Sequence, residues 1–363
     1  MAIVYRTAFL EAWIQENLFF PFLSTFFRTL PRDIVDAEKL QIEIKRGSRR
    51  VAPVISSVTQ RGGRIRKDKY TGKEFTPPVV ALSADFAPGD LIEKAFGQNE
   101  YQTAATSYAT QLMNLILDKV SEIDPQMIRA IEYQIAQILQ SGQMKLYDEN
   151  GKAVYELNFY PKATHFPTVS ISWSDEDSTP DVDLENLIDV IESDGETTIE
   201  NAIFGKTARI NYLNNSKVND KFDLSRMASG TYQPTMRNPG VKFLGNLLVG
   251  STYLDCWQYD GTYIHPDTGV LTKFVADDKV ILLPSNVGPN VDLRIAHCRV
   301  PIVLPPDLRF SGMVPSYANL GNRAYSLRVW GDDEADALNI EVKDRPLAIP
   351  VSIDAFGCLD TEI

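Results

Sequence analysis

The sequence is poor in the residues that build small chemical sites. Its 363 residues include three cysteines and three histidines. Cys256, Cys298 and Cys358 stand far apart with no Cys-x-x-Cys pair among them, which excludes a disulfide framework and a thiolate zinc site and points to folding in a reducing compartment. His165, His265 and His297 have no partners at metal-ligand spacing, and His297 and Cys298 are adjacent, so on a strand they face opposite ways. Long apolar runs are missing too. The N-terminal region is rich in large apolar side chains, but its longest charge-free stretch lies between Glu16 and Arg28 and contains Pro21. A bilayer span needs ~20 apolar residues, and a signal peptide needs a basic start, an apolar middle and a small-residue cleavage site. Neither pattern is present. This aromatic stretch, with Phe19, Phe20, Phe22, Leu23, Phe26 and Phe27, therefore needs a protein surface to cover it, on its own domain or on a neighbouring subunit. Positive charge is also scarce: 36 Lys plus Arg against 48 Asp plus Glu leave a net charge of −12, which excludes a generically basic nucleic-acid binder.

What is present is an ordinary globular composition, with 44% hydrophobic and 23% charged residues, long enough for two or three domains with real cores. The charge is spread very unevenly. From Lys45 to Lys73 ten basic residues face one acid, Asp68, so that segment carries +9 and the remainder −21. Leu40, Ile42 and Ile44 alternate with polar residues, Val51 to Val58 is β-rich, and Arg61-Gly62-Gly63-Arg64 and Tyr70-Thr71-Gly72-Lys73 carry turn residues before Phe75 to Leu82 resumes an apolar run. The pattern predicts a long basic two-stranded hairpin. Isolated hairpins are marginal in water, so this one is either a solvated loop or a strap lying on an acidic neighbour.

Helical periodicity takes over after Phe96. Tyr101, Ala105, Tyr108, Leu112, Ile116 and Val120 recur at three- and four-residue steps, and after Asp124-Pro125 the stripe continues through Ile128, Ile131, Ile135 and Leu139 to Ser141-Gly142. This predicts one long helix, broken or kinked near Pro125. Met144 to Tyr160 alternates around Asp148-Glu149-Asn150-Gly151, a β-hairpin pattern. Eleven acids and no Lys or Arg lie between Asp175 and Glu200, and Pro180-Asp181 opens a short amphipathic helix with Leu184, Leu187, Ile188 and Ile191 on one face. Thr197 to Phe204 reads as a strand and Lys206 to Asp220 as a second helix. Short apolar runs follow to the C-terminus at Leu247 to Val249, Val280 to Leu283, Arg299 to Leu304, Ser326 to Trp330, Leu338 to Val342 and Ala348 to Ile353. These read as strands with long connections.

Catalytic motifs are imitated but not completed. Gly205-Lys206-Thr207 resembles the end of a phosphate-binding loop, yet Glu200 stands where its first glycine belongs, so a plain strand-to-helix turn is expected. The acidic stretch places Pro180 and Asn186 where a calcium loop needs glycine, which favours a solvated helix face. No Gly-x-Ser-x-Gly elbow occurs, and Cys256 and Cys298 in apolar surroundings read as core residues. An enzyme reading has no positive support, and no cofactor or metal is expected.

An ordered set of short motifs carries a resemblance. Leu23-Ser24-Thr25-Phe26-Phe27-Arg28, the Arg61-Gly62-Gly63 turn, Glu74-Phe75-Thr76-Pro77, the long helix closed by Gly142, the hairpin through Gly151, Ser172-Trp173-Ser174, Gly331-Asp332, Arg345-Pro346-Leu347 and Asp354-Ala355-Phe356 occur in this order. Over nearly the whole chain the sequence resembles the family of the phage lambda major head protein, with the greatest divergence between Asn214 and Pro305. The resemblance implies an α+β fold, the tailed-phage major capsid fold of the Hong Kong 97 type. It divides the chain into an N-terminal arm (1–38), an extended E-loop (39–90), a peripheral domain with a long spine helix and hairpin (91–175), an axial domain (176–322) and return strands of the peripheral domain (323–363).

The function implied is a major capsid protein whose hexamers and pentamers close into an icosahedral head around double-stranded DNA, held without sequence-specific contact and without a membrane. The resemblance implies portal, separate scaffolding and decoration proteins as partners, and a virion product assembled in the host cytoplasm. Candidate inter-subunit residues are Phe26, Phe27 and Arg28 in the arm and Arg61, Arg64, Arg66, Lys67 and Lys69 in the loop. Lys67, Lys69 and Lys73 lie in the loop that carries an interlocking lysine crosslink in some relatives, but basic loop residues more often serve ion pairing. Two alternatives stand beside this reading: a nanocompartment shell of the same fold and an acidic metal-dependent hydrolase.

Overall fold

The computed structural model describes residues 20–29, 34–35, 40–44, 71–75, 77–86, 108–148, 150–224, 230–284, 293–298, 300, 318–320, 323–332 and 337–363. After a 3-10 turn at Leu23–Phe26 come β1 (Ile34–Val35), β2 (Leu40–Ile44), β3 (Thr71–Phe75) and β4 (Val80–Phe86). The long helix α1 (Tyr108–Ser141) leads into the hairpin β5 (Gln143–Tyr147) and β6 (Ala153–Asn158). The middle region holds α2 (Pro180–Gly195), β7 (Ile199–Phe204), α3 (Lys206–Asn214), α4 (Ser216–Leu224), β8 (Gly230–Asn238), β9 (Val241–Val249) and β10 (Thr252–Tyr259). It continues through β11 (Thr262–Ile264), β12 (Leu271–Lys273), β13 (Lys279–Pro284) and β14 (Leu293–Cys298). The chain closes with β15 (Ala318–Leu320), β16 (Arg323–Asp332), β17 (Ala337–Asp344), β18 (Pro346–Pro350) and β19 (Gly357–Asp360).

The main sheet has the order β19-β13-β7-β10-β9-β8. Its central strands are buried on both faces, which is why Val280 to Leu283 is continuously apolar. Ile203, Ile281 and Leu283 point into the core shared with α1, while Ala202, Phe204, Val280 and Leu282 point into a second core under α2 and α3. A four-stranded sheet β15-β16-β17-β4 and a three-stranded sheet β1-β14-β18 complete the body. Among the described residues most pairings are antiparallel, with β7·β10 and β1·β14 parallel.

One long helix forms as expected, and of the two outcomes expected at Pro125, a break or a kink, the break does not occur. A proline inside a helix costs about 3 kcal/mol through its missing N–H and ring clash. Burial offsets that cost, because Ile123 and Met127 flank the proline and pack on Val342, with Val80, Leu82 and Ala84 against them. Asp124-Pro125, a residue pair of the kind that caps and opens helices, thus lies inside this one. The expected stripe Ile128, Ile131, Ile135 and Leu139 is buried, and Gly142 closes the helix at φ +65°, its N–H donating to the Ile138 carbonyl at 2.7 Å.

A departure from expectation lies at Asn215, which splits the single helix expected over Lys206 to Asp220. Its backbone is extended, and its Oδ1 accepts the N–H groups of Lys217 at 3.0 Å and Val218 at 3.4 Å, making it the N-cap of a new helix. Gly205 behaves as the plain strand-to-helix turn that was expected. A Cβ there would sit 2.2 Å from the Ala276 carbonyl oxygen, so the glycine serves close backbone approach and not a phosphate. Near the C-terminus the strand found is Leu293–Cys298, upstream of the expected Arg299 to Leu304, of which Arg299 and 301–304 lie outside the described residues. The final strand β19 pairs with β13 in the main sheet, so the tail returns to the middle region and not only to the peripheral strands.

Polar side chains on α1 fasten distant backbone to it. Gln134, fully buried, donates Nε2 to the Pro346 carbonyl and accepts the Ala348 N–H through Oε1, both at 3.3 Å. Gln140 does the same for the Phe274 carbonyl at 2.7 Å and the Ala276 N–H at 3.1 Å. Gln137 does so for Lys145, at 3.0 and 2.6 Å. Replacing Gln134 by Leu leaves a buried donor and acceptor without partners, at about 1–3 kcal/mol. Urea unfolding of the unassembled chain is expected to show that loss, and an unchanged midpoint would sink this account of β18.

Candidate assembly surfaces

At the two ends of the expected basic hairpin, β2 and β3 pair antiparallel from Leu40↔Phe75 to Ile44↔Thr71, so the ends of the segment between them lie side by side. Arg61, Arg64, Arg66, Lys67 and Lys69, with the crosslink candidate Lys73's side chain, lie outside what the structure describes. Negative charge is exposed on another part of the subunit. Asp175, Glu176 and Asp177 before α2, and Glu185, Asp189 and Glu196 along it, are exposed, while Leu184, Leu187, Ile188 and Ile191 fill the opposite face. Burial raises the Asp183 carboxyl although the Trp173 indole N–H donates to it at 3.0 Å.

The aromatic stretch divides between the two alternatives set out for it. Phe22, Leu23 and Phe27 are buried in the chain's own core, so over these residues the covering surface is the same subunit. Phe27 is thus a core residue here, Phe26 is half-buried, and Arg28 has an exposed side chain. Backbone bonds hold Arg28 to β14: its N–H donates to the Leu293 carbonyl at 2.9 Å, and its carbonyl accepts the Ile295 N–H at 3.0 Å. The 3-10 turn is seated by Glu132 of α1, which is fully buried. Its Oε1 accepts the Leu23 N–H at 2.6 Å and its Oε2 the Ser24 N–H at 3.0 Å. Phe22 packs against Trp257 and Tyr259 of β10 at ring centroid distances of 5.3 and 5.4 Å. Burial disfavours the carboxylate more than these bonds favour it, so the Glu132 carboxyl is pushed up to about 7.

One surface was missed in the sequence. The hairpin β11–β12 exposes Ile264, Val270 and Leu271, with Ile264 directly opposite Leu271 in the ladder. Its root is fixed by Tyr263, which stacks on Phe274 at 4.8 Å and meets Tyr133 of α1 at 4.9 Å. The signal was Pro266-Asp267-Thr268-Gly269, a turn between apolar pairs, in the stretch where the motif resemblance fades.

No group of His, Cys, Asp and Glu among the described residues is arranged to hold a metal ion. All three cysteines are buried, and burial raises each thiol, that of Cys358 to about 12. No described helix is long and apolar enough to cross a membrane.

The sequence model of the family described as phage major capsid protein E matches residues 14–357. No curated protein sequence matches the chain. Among solved structures, a prophage capsid protein of E. coli CFT073 is similar over 98% of both chains, with TM-score 0.60 and 15% identity. A phage-related protein of Bordetella bronchiseptica RB50 is similar over 98% of this chain and 96% of its own, with TM-score 0.54 and 11% identity. At such identities these two likenesses speak for the fold.

The Glu132 seat has a pH signature. Its folded value of about 7 exceeds the ordinary 4.5, so between these the folded chain binds more protons than the unfolded one. Its stabilising contribution is complete below about 4.5 and is lost as the pH rises through about 7. Urea unfolding of the parent and Glu132→Gln across pH 4 to 8 should show a stability difference that shrinks over that window and then levels. A difference that does not vary with pH would overturn the assignment.

Proposed function

The chain belongs to the phage major capsid protein E family, and from that membership we infer how its copies build the head. It is a phage major capsid protein, a virion component that assembles with itself into capsid shells, and its family is structural and not enzymatic. The inference beyond this is that hexameric and pentameric capsomers close into an icosahedral shell around double-stranded DNA, assembled in the host cytoplasm with portal, scaffolding and decoration proteins. The arm is residues 1–38, the E-loop 39–90, and the axial domain begins near residue 176. The observation that carries this reading is the family match over residues 14–357.

Charge supports the inter-subunit part. A loop of +9 and an acidic face on the same subunit form a heterologous pair, which generates rings when the rotation closes. Such pairs steer and register subunits more than they add affinity. Net negative charge on the whole chain suits a container, because a basic lining would hold phosphates at every contact. Ile264 and Leu271, cross-strand partners on one face, add a small exposed aliphatic contact, far below the ~800 Å² per partner of a standard two-body interface, which suits one contact among several in a shell.

Negative-stain electron microscopy of the protein, with and without its neighbouring phage gene products, tests the reading. Closed shells of uniform diameter, or rings that become shells when a scaffold is supplied, are expected, and a monodisperse small oligomer under every condition would refute it. Reversing Arg61, Arg64 and Arg66 to Glu should leave subunits folded but block closure, with less difference from the parent in high salt. Normal shells from that mutant would remove the strap. Ile264→Asp with Leu271→Asp should lower shell yield at unchanged subunit stability, and full yield would show that the patch is not a contact.

A further inference from the structure

Both ends of the basic loop lead to one buried cluster. On the way in, β1 pairs with β14 as Ile34↔His297 and Val35↔Cys298, five residues before β2 begins. On the way out, the carbonyl of Pro77, two residues past β3, accepts hydrogen bonds from Nε of Arg345 at 3.3 Å and from its Nη2 at 3.1 Å. The same residues are joined to each other. Asp344 accepts the Arg345 backbone N–H at 2.7 Å through Oδ1, and its two oxygens lie 3.2 and 3.0 Å from Nδ1 of His297. A carboxylate can only accept, so Nδ1 is the protonated ring nitrogen. The Cys298 N–H donates to the Arg345 carbonyl at 3.1 Å. A closed path thus runs from Val35 through Cys298 and Arg345 to Pro77, with Asp344 and His297 at its centre. His297, Asp344 and Arg345 are 1%, 0% and 5% exposed.

This cluster is costly unless it does something geometric. Buried charges need partners, and replacing such a group with apolar side chains is often neutral or stabilising, so stability alone does not account for it. A planar guanidinium gripping one carbonyl with two N–H groups fixes direction as well as distance. A ladder of two strands has no core with which to set its own direction, so the angle at which it leaves must come from its root.

We propose that His297, Asp344 and Arg345 are positioning residues, which set the angle at which the β2–β3 stem leaves the body and therefore which surface of a neighbouring copy its loop meets. The second half rests on the shell reading above; the first half concerns the single chain. Spin labels on cysteines placed at Gln41 in β2 and Gln126 on α1 report the angle in the full-length unassembled protein, where the three native cysteines are buried and unlabelled. A control pair at Gln126 and Glu200 reports the body. In the parent, the 41–126 distances should form one narrow distribution. Arg345→Lys keeps the charge and loses the fork, and His297→Leu removes the donor; each should widen that distribution at least twofold while the control pair stays unchanged. His297→Asn, whose amide nitrogen stands in for Nδ1, should restore the parental width. An unchanged 41–126 width in Arg345→Lys overturns the proposal, and so does equal widening of both pairs, which is the mark of a merely structural role. Widening without any change in shell yield or diameter would uphold the positioning and refute its consequence for the neighbour.

Discussion

The structure depends on the side-chain amides and one carboxyl of α1, each of which grips a piece of backbone far away in sequence. Glu132 holds the turn at residues 23–26, Gln134 holds β18, Gln137 holds β5 and Gln140 holds the chain after β12. Each glutamine supplies a donor and an acceptor to the same short segment, as a neighbouring β-strand would. The helix therefore extends the sheets' bonding sideways, and segments separated by over 200 residues, such as Gln134 and Ala348, share one rigid body. Apolar burial is non-directional, whereas hydrogen bonds at two points fix direction as well as contact.

That physics explains what the sequence disclosed and what it withheld. The apolar stripe of α1, the face of α2 and the turns of the hairpins follow periodicities of 3.6 and 2, which a single chain displays openly. The glutamines carry no such period. They fall on the helix as ordinary polar residues, and only the tertiary structure shows that Gln134 is buried with both amide atoms used. At Pro125 the local rule against interior proline does not break the helix, because Ile123 and Met127 are packed on either side of it. Asn215 is of a type favoured at N-caps, but asparagine is also tolerated inside helices, so only the structure shows the split there.

Among the described residues, several of the motifs that carried the family resemblance are interior fastenings. Trp173 donates its indole N–H to Asp183, and its backbone N–H bonds to the Thr361 carbonyl, tying the strip before α2 to the tail. Phe356 offers its carbonyl to Nδ1 of the fully buried His165 at 2.9 Å. Arg345-Pro346 joins the loop root to Gln134. Such residues hold their places because many atoms depend on each of them. Assembly surfaces obey a looser rule: a charged patch works through total charge and direction, so arginine at one position or its neighbour serves nearly as well. Of the arm candidates, Phe27 is packed in the subunit's own core.

A shell built from one chain must close without locking early errors in place. Contacts between copies therefore have to be individually weak, and their direction must come from within the subunit. In the assembly proposed above, a small aliphatic contact and a charge pair screened by salt meet the first requirement. The proposed role of the buried cluster at the loop root meets the second, with the two-point glutamine grips and the Glu132 seat holding the body around it. Specificity then resides in the geometry that presents the loop, while affinity resides in the number of neighbours, and the two can change independently. The sequence shows the same division, with +9 of charge concentrated between Lys45 and Lys73 and the polar residues that fasten the body dispersed singly through the core.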